Sequence, residues 1–167
     1  ARKQPACERA AEEIRAATGQ NALPFACDVS LPEAVDQLVD RATQALGPID
    51  ILINNAAVGR GQDRVPVEEL PPEVFQRVLD VKVRGTFLST QAVLKQMYAQ
   101  NTGGKIVNIS SGAGLRPSLT SIQGYTTAKH AQIGLTKQLA LELGPAGINV
   151  NSVAPGFIRS NPSTESQ

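Results

Sequence analysis

The feature that most constrains the fold is a regular alternation of strand-like and helical segments along the chain. Short connections join these segments, and such alternation is typical of a parallel sheet whose crossover connections are helices. We therefore predict an α/β chain, a doubly wound parallel sheet in three α/β/α layers, forming a single domain over 1–167. Strand-like runs lie at 21–29, 49–57, 103–114 and 147–156, and helical patterns at 5–19, 30–47, 72–98 and 122–144.

Local signals mark the ends of several helices. Gly19 and Gly47 follow apolar stripes of helical period and predict helix stops. Ser30 and Glu33 have the spacing of a capping box, which predicts that the second helix begins there. The pattern over 72–98 is long for one helix, and we expect a break near 81–85.

Composition narrows the functional classes. The 167 residues are 41% hydrophobic and 19% charged, which is typical of one soluble globular domain. The formal net charge of +1, from interspersed cationic and anionic side chains, gives no reason to expect a nucleic-acid partner. No apolar run is long enough to span a membrane and no secretion signal opens the chain, so we expect a cytoplasmic protein without a membrane partner.

Small and polar residues follow each predicted strand. The runs read CDVS, NNAAVG, ISSGAG and APGFIRS in chain order. Any one of them could be no more than a turn. Because the carboxyl ends of parallel strands meet at one edge of a sheet, the four together favour a shared ligand cleft.

A tyrosine and a lysine lie one helical turn apart in GYTTAKHAQIGLTK. Residues four apart share a helix face, so Tyr125 and Lys129 are predicted neighbours. A free phenol has a pKa of about 10, too high for a base near neutrality, and a nearby ammonium favours the phenolate. The pair is therefore a candidate acid–base centre.

The motifs NNAA, ISS, YTTAK and INVNSVAPG occur in an order that resembles the classical short-chain dehydrogenase/reductases. These are NAD(P)-dependent oxidoreductases with a Rossmann-like fold, and the resemblance runs over 2–160. It implies hydride transfer between NADP(H) or NAD(H) and a small carbonyl or alcohol substrate, without a metal. Tyr125 would be the general acid/base and Lys129 would also hold the nicotinamide ribose.

The same resemblance assigns a serine to the substrate oxygen. Ser111 matches, although it lies fourteen positions before Tyr125, one more than the family spacing. Ser110 stays open as the alternative.

The resemblance also implies a set of cofactor-binding residues. Ala57 replaces the usual glycine and Ser160 replaces the commoner threonine. The set, besides Tyr125 and Lys129, is Asp28 and Val29 at the adenine, Asn55, Ala56 and Ala57 at the adenosine ribose, and Pro155, Gly156, Ile158 and Ser160 at the nicotinamide.

Arg2 bears on the choice of cofactor. An arginine at the end of the second strand of such a fold suits the 2′-phosphate of NADP, whereas an acidic residue suits NAD. We therefore favour NADP and keep NAD as possible; the alternative is that Arg2 belongs to a solvated basic terminus.

Lys82 departs from the family pattern, which has an asparagine there that helps to bind a relay water. An ammonium has no acceptor atom. If Lys82 points inward, it places a second cation near Lys129 and disfavours protonation of both lysines; if it points outward, the relay water loses a partner. We expect Lys82→Asn to shift the pH–rate profile.

The family's glycine-rich phosphate loop is not found in the sequence, and the first residue is Ala1. We therefore expect the full polypeptide to carry further strands on both sides of 1–167, since a fold built from these residues alone would leave strand edges unpaired. We also expect a homodimer or homotetramer formed through the long helices. Competing hypotheses are a catalytically impaired or non-catalytic cofactor-binding scaffold of the same fold, and a related epimerase or dehydratase.

Overall fold

The structure, a computed structural model, describes residues 2–58, 63–156 and 158. Its centre is a parallel three-stranded sheet of order β1-β2-β3. The strands are β1 (Ile51–Asn54), β2 (Gly104–Ile109) and β3 (Ile148–Val153). The predicted α/β class with a parallel, incomplete sheet is confirmed.

Five α-helices lie in the described part of the chain: α1 (Gln4–Thr18), α2 (Pro32–Leu46), α3 (Pro72–Leu79), α4 (Gly85–Gln100) and α5 (Gln123–Leu143). The predicted stop at Gly19 is confirmed, because this residue has a left-handed φ of 69° and its N–H bonds to the Arg15 carbonyl. The break expected near 81–85 is a π-helical turn, Asp80–Arg84, between α3 and α4. Short 3-10 turns occur at Val67–Glu69, Gly112–Gly114 and Gly144–Ala146.

The core lies between one face of the sheet and helices α4 and α5. Side chains alternate along the strands, so that every second residue of β2 and β3 points to the helices. Burial of each large apolar side chain contributes about 1.5–3 kcal/mol. The core consists of Val93, Met97, Ile106, Leu139, Leu143, Ile148 and Val150.

The opposite face of the sheet is open within the described residues. Ile51, Ile53 and Val153 are 54%, 61% and 48% exposed. The described helices α4 and α5 thus cover one face, and the third layer of the predicted architecture is not formed by the residues that the structure describes.

The prediction of a strand at 21–29 is wrong for this structure. The segment pairs with no strand in the described ranges and bonds instead to α1 through the Gln4 side chain, which donates to the Pro24 carbonyl at 3.3 Å and accepts from Ala26 N at 3.1 Å. A strand requires a hydrogen-bonded neighbour, and β1, at the edge of the sheet, pairs only with β2 here.

The predicted capping box is also wrong. Helix α2 begins after Leu31, and no side chain caps it. The Ser30 hydroxyl donates to Asp28 Oδ1 at 2.6 Å and accepts from Arg77 Nη1 at 2.9 Å, so it is directed to these partners and not to the helix N-terminus.

None of the described helices is long and apolar enough to cross a membrane.

Candidate active site

Helix α5 holds the predicted Tyr–Lys pair beside the carboxyl end of β2. Lys129 is 5% exposed, and its Nζ lies 5.6 Å from the ring centroid of the half-buried Tyr125. Lys129 Nζ donates to the Ile109 carbonyl at 2.5 Å and to Gln132 Oε1 at 2.9 Å. An ammonium has three N–H groups. These contacts fix the head group, and no acceptor in the described part of the chain takes its third N–H.

Lys82 points inward, which is the first of the two orientations considered above. It lies in the middle of the π turn, is 3% exposed, and places Nζ 4.7 Å from the Tyr125 ring centroid. Two lysines from different helical segments therefore flank one tyrosine. Each is within the range of a cation–π interaction.

The environment disfavours the charged form of both lysines. Burial, and secondly the charge of Lys82, lowers the pKa of Lys129 to about 8. Burial also lowers the pKa of Lys82, and the negative charge of Asp63 opposes this only in part. The inward orientation of Lys82 thus disfavours protonation of both lysines, as the sequence analysis predicted.

Gln132 is a site residue that the sequence reasoning missed. It is buried, accepts from Lys129 Nζ, and donates from Nε2 to the Lys82 carbonyl and to Thr86 Oγ1, each at 2.9 Å. The signal was present, since Gln132 follows Tyr125 by seven positions and Lys129 by three. These spacings place all three on one helix face.

The two candidate serines have different partners. Ser110 is buried and its hydroxyl donates to the Lys129 carbonyl at 3.1 Å, which ties β2 to α5. Ser111 is half-buried, and its Oγ accepts from Ala113 N at 3.2 Å. Within the described residues the Ser111 hydroxyl donates to no acceptor. Of the two serines, Ser111 is therefore the one whose hydroxyl can donate a hydrogen bond to a ligand.

The segments that follow the strands are largely exposed next to this cluster. Asn55, Ala56 and Ala57 are exposed after β1. The ends of β2 and β3 are joined because Gly112 N donates to the Pro155 carbonyl at 2.9 Å. Gly156 and Ile158 are exposed beyond them, and Ser160 lies outside the described residues.

Asp28 and Arg2 meet at the other end of the predicted cofactor site. Asp28 Oδ2 lies 2.8 Å from Arg77 Nη2 and 3.9 Å from Arg2 Nη1. Hydrogen bonds from Ser30, and then from Arg77, lower the pKa of Asp28 to about 2. The carboxylate is thus fixed against α3, with the exposed Arg2 beside it.

Val29 packs against the start of α4. A Cβ on Gly85 would lie 2.7 Å from Val29 Cγ2, closer than real contacts allow. The glycine therefore permits the approach of the predicted adenine-site segment to the helix that follows Lys82.

The fold is a parallel α/β sheet with a tyrosine and a buried lysine next to the carboxyl ends of its strands. The chain belongs to the short chain dehydrogenase family, whose model matches residues 1–167. Peroxisomal 2,4-dienoyl-CoA reductase of Danio rerio is 39% identical over 150 residues, 90% of this chain and 48% of that protein. The 2,5-dichloro-2,5-cyclohexadiene-1,4-diol dehydrogenase of Sphingobium indicum is 37% identical over 153 residues, 92% and 60% of the two chains.

Solved structures agree with this assignment. An NAD⁺-bound xylitol dehydrogenase superimposes with a TM-score of 0.90 at 38% identity, covering 99% of this chain and 62% of that chain. Gluconate 5-dehydrogenase from Burkholderia cenocepacia, solved with NADP and tartrate, gives a TM-score of 0.85 at 30% identity, covering 96% and 60%. The chain spans about half the length of the first two curated relatives it matches, 48% and 52%.

Proposed function

We propose that the protein is an oxidoreductase that transfers a hydride between NADP(H) or NAD(H) and a carbonyl or alcohol substrate, with Tyr125 as general acid/base. The observation that carries the proposal is that two buried lysine head groups lie 4.7 and 5.6 Å from the ring centroid of Tyr125. In the oxidative direction the tyrosine oxygen takes the proton of the alcohol, and the two lysine head groups lie beside the tyrosine ring. In the reductive direction the neutral phenol donates this proton to the carbonyl oxygen.

Ser111 would hold the reacting oxygen. Its unused hydroxyl proton is suited to an oxygen on which negative charge develops, and one such donor contributes about 2.7–4 kcal/mol of transition-state stabilisation where it has been removed in other enzymes. Ser110 is less suited, because its hydroxyl is already bonded to the Lys129 carbonyl.

The residues present fit a nicotinamide cofactor. The unused N–H of Lys129 would bind a ribose hydroxyl, and the exposed turn Asn55, Ala56 and Ala57 leaves backbone groups accessible to the adenosine part. Pro155, Gly156, Ile158 and Ser160 would line the nicotinamide. The cofactor, when bound, supplies or accepts the hydride.

A preference for NADP is part of the proposal. The guanidinium of Arg2 is exposed 3.9 Å from Asp28 Oδ2, next to the proposed adenine position, where it would pair with a 2′-phosphate on the adenosine ribose. We expect Arg2→Ala to reduce the ratio of the NADP to the NAD specificity constant about tenfold. An unchanged ratio would assign Arg2 to the solvated surface.

The central test compares Tyr125→Phe with Tyr98→Phe. The second tyrosine of the chain is exposed on α4 and serves as the matched control. In a nicotinamide absorbance assay against a panel of carbonyl compounds, Tyr125→Phe should lower kcat/KM by about 10²–10⁴, the typical contribution of a general acid/base, and Tyr98→Phe should not. Activity that survives Tyr125→Phe unchanged would refute the mechanism.

A catalytically impaired scaffold is the second candidate, and the buried Lys82 favours it because an ammonium has no acceptor atom for a relay water. Cofactor titration by fluorescence, combined with the carbonyl panel on the same protein, separates the two functions. A scaffold would bind the cofactor but reduce no carbonyl in the panel. The oxidoreductase would bind the cofactor and reduce at least one of the carbonyl compounds.

Self-association and location are proposals of the same kind. Phe87 and Leu141 are exposed apolar residues on α4 and α5, and we propose that these helices form a homodimer or homotetramer. Sedimentation of the wild type against Phe87→Ser tests this. We propose a cytoplasmic location, which imaging of the tagged protein tests against the peroxisomal location in the relative's name.

A further inference from the structure

Lys82 has a buried side-chain nitrogen that finds no acceptor among the described residues. The residue is 3% exposed, yet within the described residues Nζ makes no hydrogen bond and no ion pair. Lys129, at similar burial, has two acceptors. The fully enclosed side-chain polar atoms without a partner, in the part of the chain described, are Gln100 Oε1 and Gln123 Oε1. Lys82 Nζ is not among them, so it is not fully enclosed, and it lies 4.7 Å from the Tyr125 ring centroid.

The backbone that carries Lys82 is held rigidly. Its carbonyl accepts from Gln132 Nε2 at 2.9 Å and from Thr86 Oγ1 at 2.7 Å, and all three residues are buried. The π turn that places Lys82 here is a local departure from α-helix, and such turns occur frequently at functional sites. These two hydrogen bonds thus hold the backbone from which the Lys82 side chain extends.

The charges around Lys82 leave an excess of positive charge next to Tyr125. From α5, Lys129 faces it as a second cation. From the preceding loop, Asp63 acts on it without forming an ion pair. On its own turn, Asp80 accepts a hydrogen bond from Gln76 at 3.0 Å and Arg84 is exposed. An anion is the ligand that this arrangement favours, since an unpaired buried charge is destabilising until it is paired.

We propose that Lys82 binds a carboxylate of the substrate, so that the substrates are small oxo acids or hydroxy acids. This inference rests on the proposed function, because it takes the reacting oxygen to lie at Tyr125. The ammonium lies 4.7 Å from the ring centroid of Tyr125, so we place the carboxylate close to the reacting carbonyl along the carbon chain of the substrate. A 2-oxo or 3-oxo acid has this geometry.

Binding of acetoacetate and of its methyl ester, measured by calorimetry on the purified protein with and without cofactor, tests the proposal without turnover. We expect the acid to bind about 10- to 100-fold more tightly than the ester, as for a hydrogen bond to a charged group. Lys82→Met should remove this difference and leave the ester unaffected. Lys137→Met, which removes an exposed lysine from α5, is the matched control and should preserve it.

Three results would overturn the inference. These are equal affinity of the wild type for acid and ester, an acid preference that persists in folded Lys82→Met, and Lys82-dependent binding of inorganic phosphate as tight as that of acetoacetate. The comparison of acid with ester in the wild type needs no variant, so misfolding of Lys82→Met would not remove the test. Failure of the proposed function would look different: no carbonyl would be reduced, while Lys82-dependent carboxylate binding persisted.

Discussion

Gln132 Nε2 donates to the carbonyl oxygen of Lys82 at 2.9 Å, across a sequence separation of 50 residues. The same side chain accepts from Lys129 Nζ at 2.9 Å. One carboxamide therefore positions the backbone of the first lysine and the head group of the second. The spatial relation of the two cations to Tyr125 depends on this residue.

Replacement of Gln132 should destabilise the fold as well as the site. Gln132→Leu leaves the Lys82 carbonyl with Thr86 as its remaining side-chain partner and Lys129 Nζ with one acceptor, and lost partners of buried polar groups cost about 1–3 kcal/mol. Urea unfolding at neutral pH measures the change. Gln138→Leu, at an exposed position of the same helix, should change the free energy of unfolding by less than about 0.5 kcal/mol. Equal effects of the two substitutions would contradict the assigned network.

The depressed pKa of Lys129 makes stability depend on alkaline pH. Its pKa is about 8 in the folded protein against 10.5 for the free group, so between these values the unfolded chain binds more protons than the native one. Stability must then rise with pH in this window, by up to about 1.4 kcal/mol per pH unit. The unfolding free energy of the wild type minus that of Lys129→Met should therefore rise as the pH is raised through this range.

Lys82 provides the control for this pH dependence. The charge of Lys82 is the second cause of the low pKa of Lys129, so Lys82→Met should raise that pKa. The pH range over which stability rises should then become narrower. A difference between wild type and Lys129→Met that is flat from about pH 7 to about pH 10 would show that the folded Lys129 titrates as the unfolded one does.

Asp28 should stabilise the fold at neutral pH and lose this effect in acid. Its pKa is lowered from 3.8 to about 2 by Ser30 and then Arg77, so its contribution is present above pH 3.8 and is lost as pH falls through about 2. Asp28→Asn should cost about 1–2 kcal/mol at pH 7. The gap to wild type should close with acidification, whereas Asp36→Asn, at an exposed ion pair of 4.0 Å, should show little effect at either pH.

Substitution of Gly114 should destabilise the fold, because the backbone of Lys129 lies directly against this glycine. A Cβ there would lie 2.7 Å from the Lys129 carbonyl oxygen and 2.8 Å from Ser110 Oγ. We expect Gly114→Ala to lower the free energy of unfolding by about 1–3 kcal/mol. Gly134→Ala, in α5 with no atom within 4 Å of its Cβ, should instead raise it by about 0.5–1 kcal/mol. A neutral Gly114→Ala would mean that the turn at 112–114 moves freely away from α5.

The sequence predicted the elements whose signals are local. Helix α5, strands β1, β2 and β3, and the break between α3 and α4 all follow from periodicity, turn residues and helix length. The pair of Tyr125 and Lys129 follows from helical spacing alone. The strand at 21–29 was wrong because pairing is a property of two segments, and a single run of apolar residues does not contain its partner.

What the sequence by itself determined is the α/β order, the helix face that carries the Tyr–Lys pair and the family of the chain. Only the tertiary structure decided where Lys82 points, because the direction of a side chain in a helical break depends on the π turn and on the groups that satisfy its carbonyl. The same holds for the low pKa of both lysines, since burial and the distance between cations arise only when α5 packs against that turn. Spacing along one helix is set by its geometry, whereas the meeting of residues 50 positions apart is set by packing.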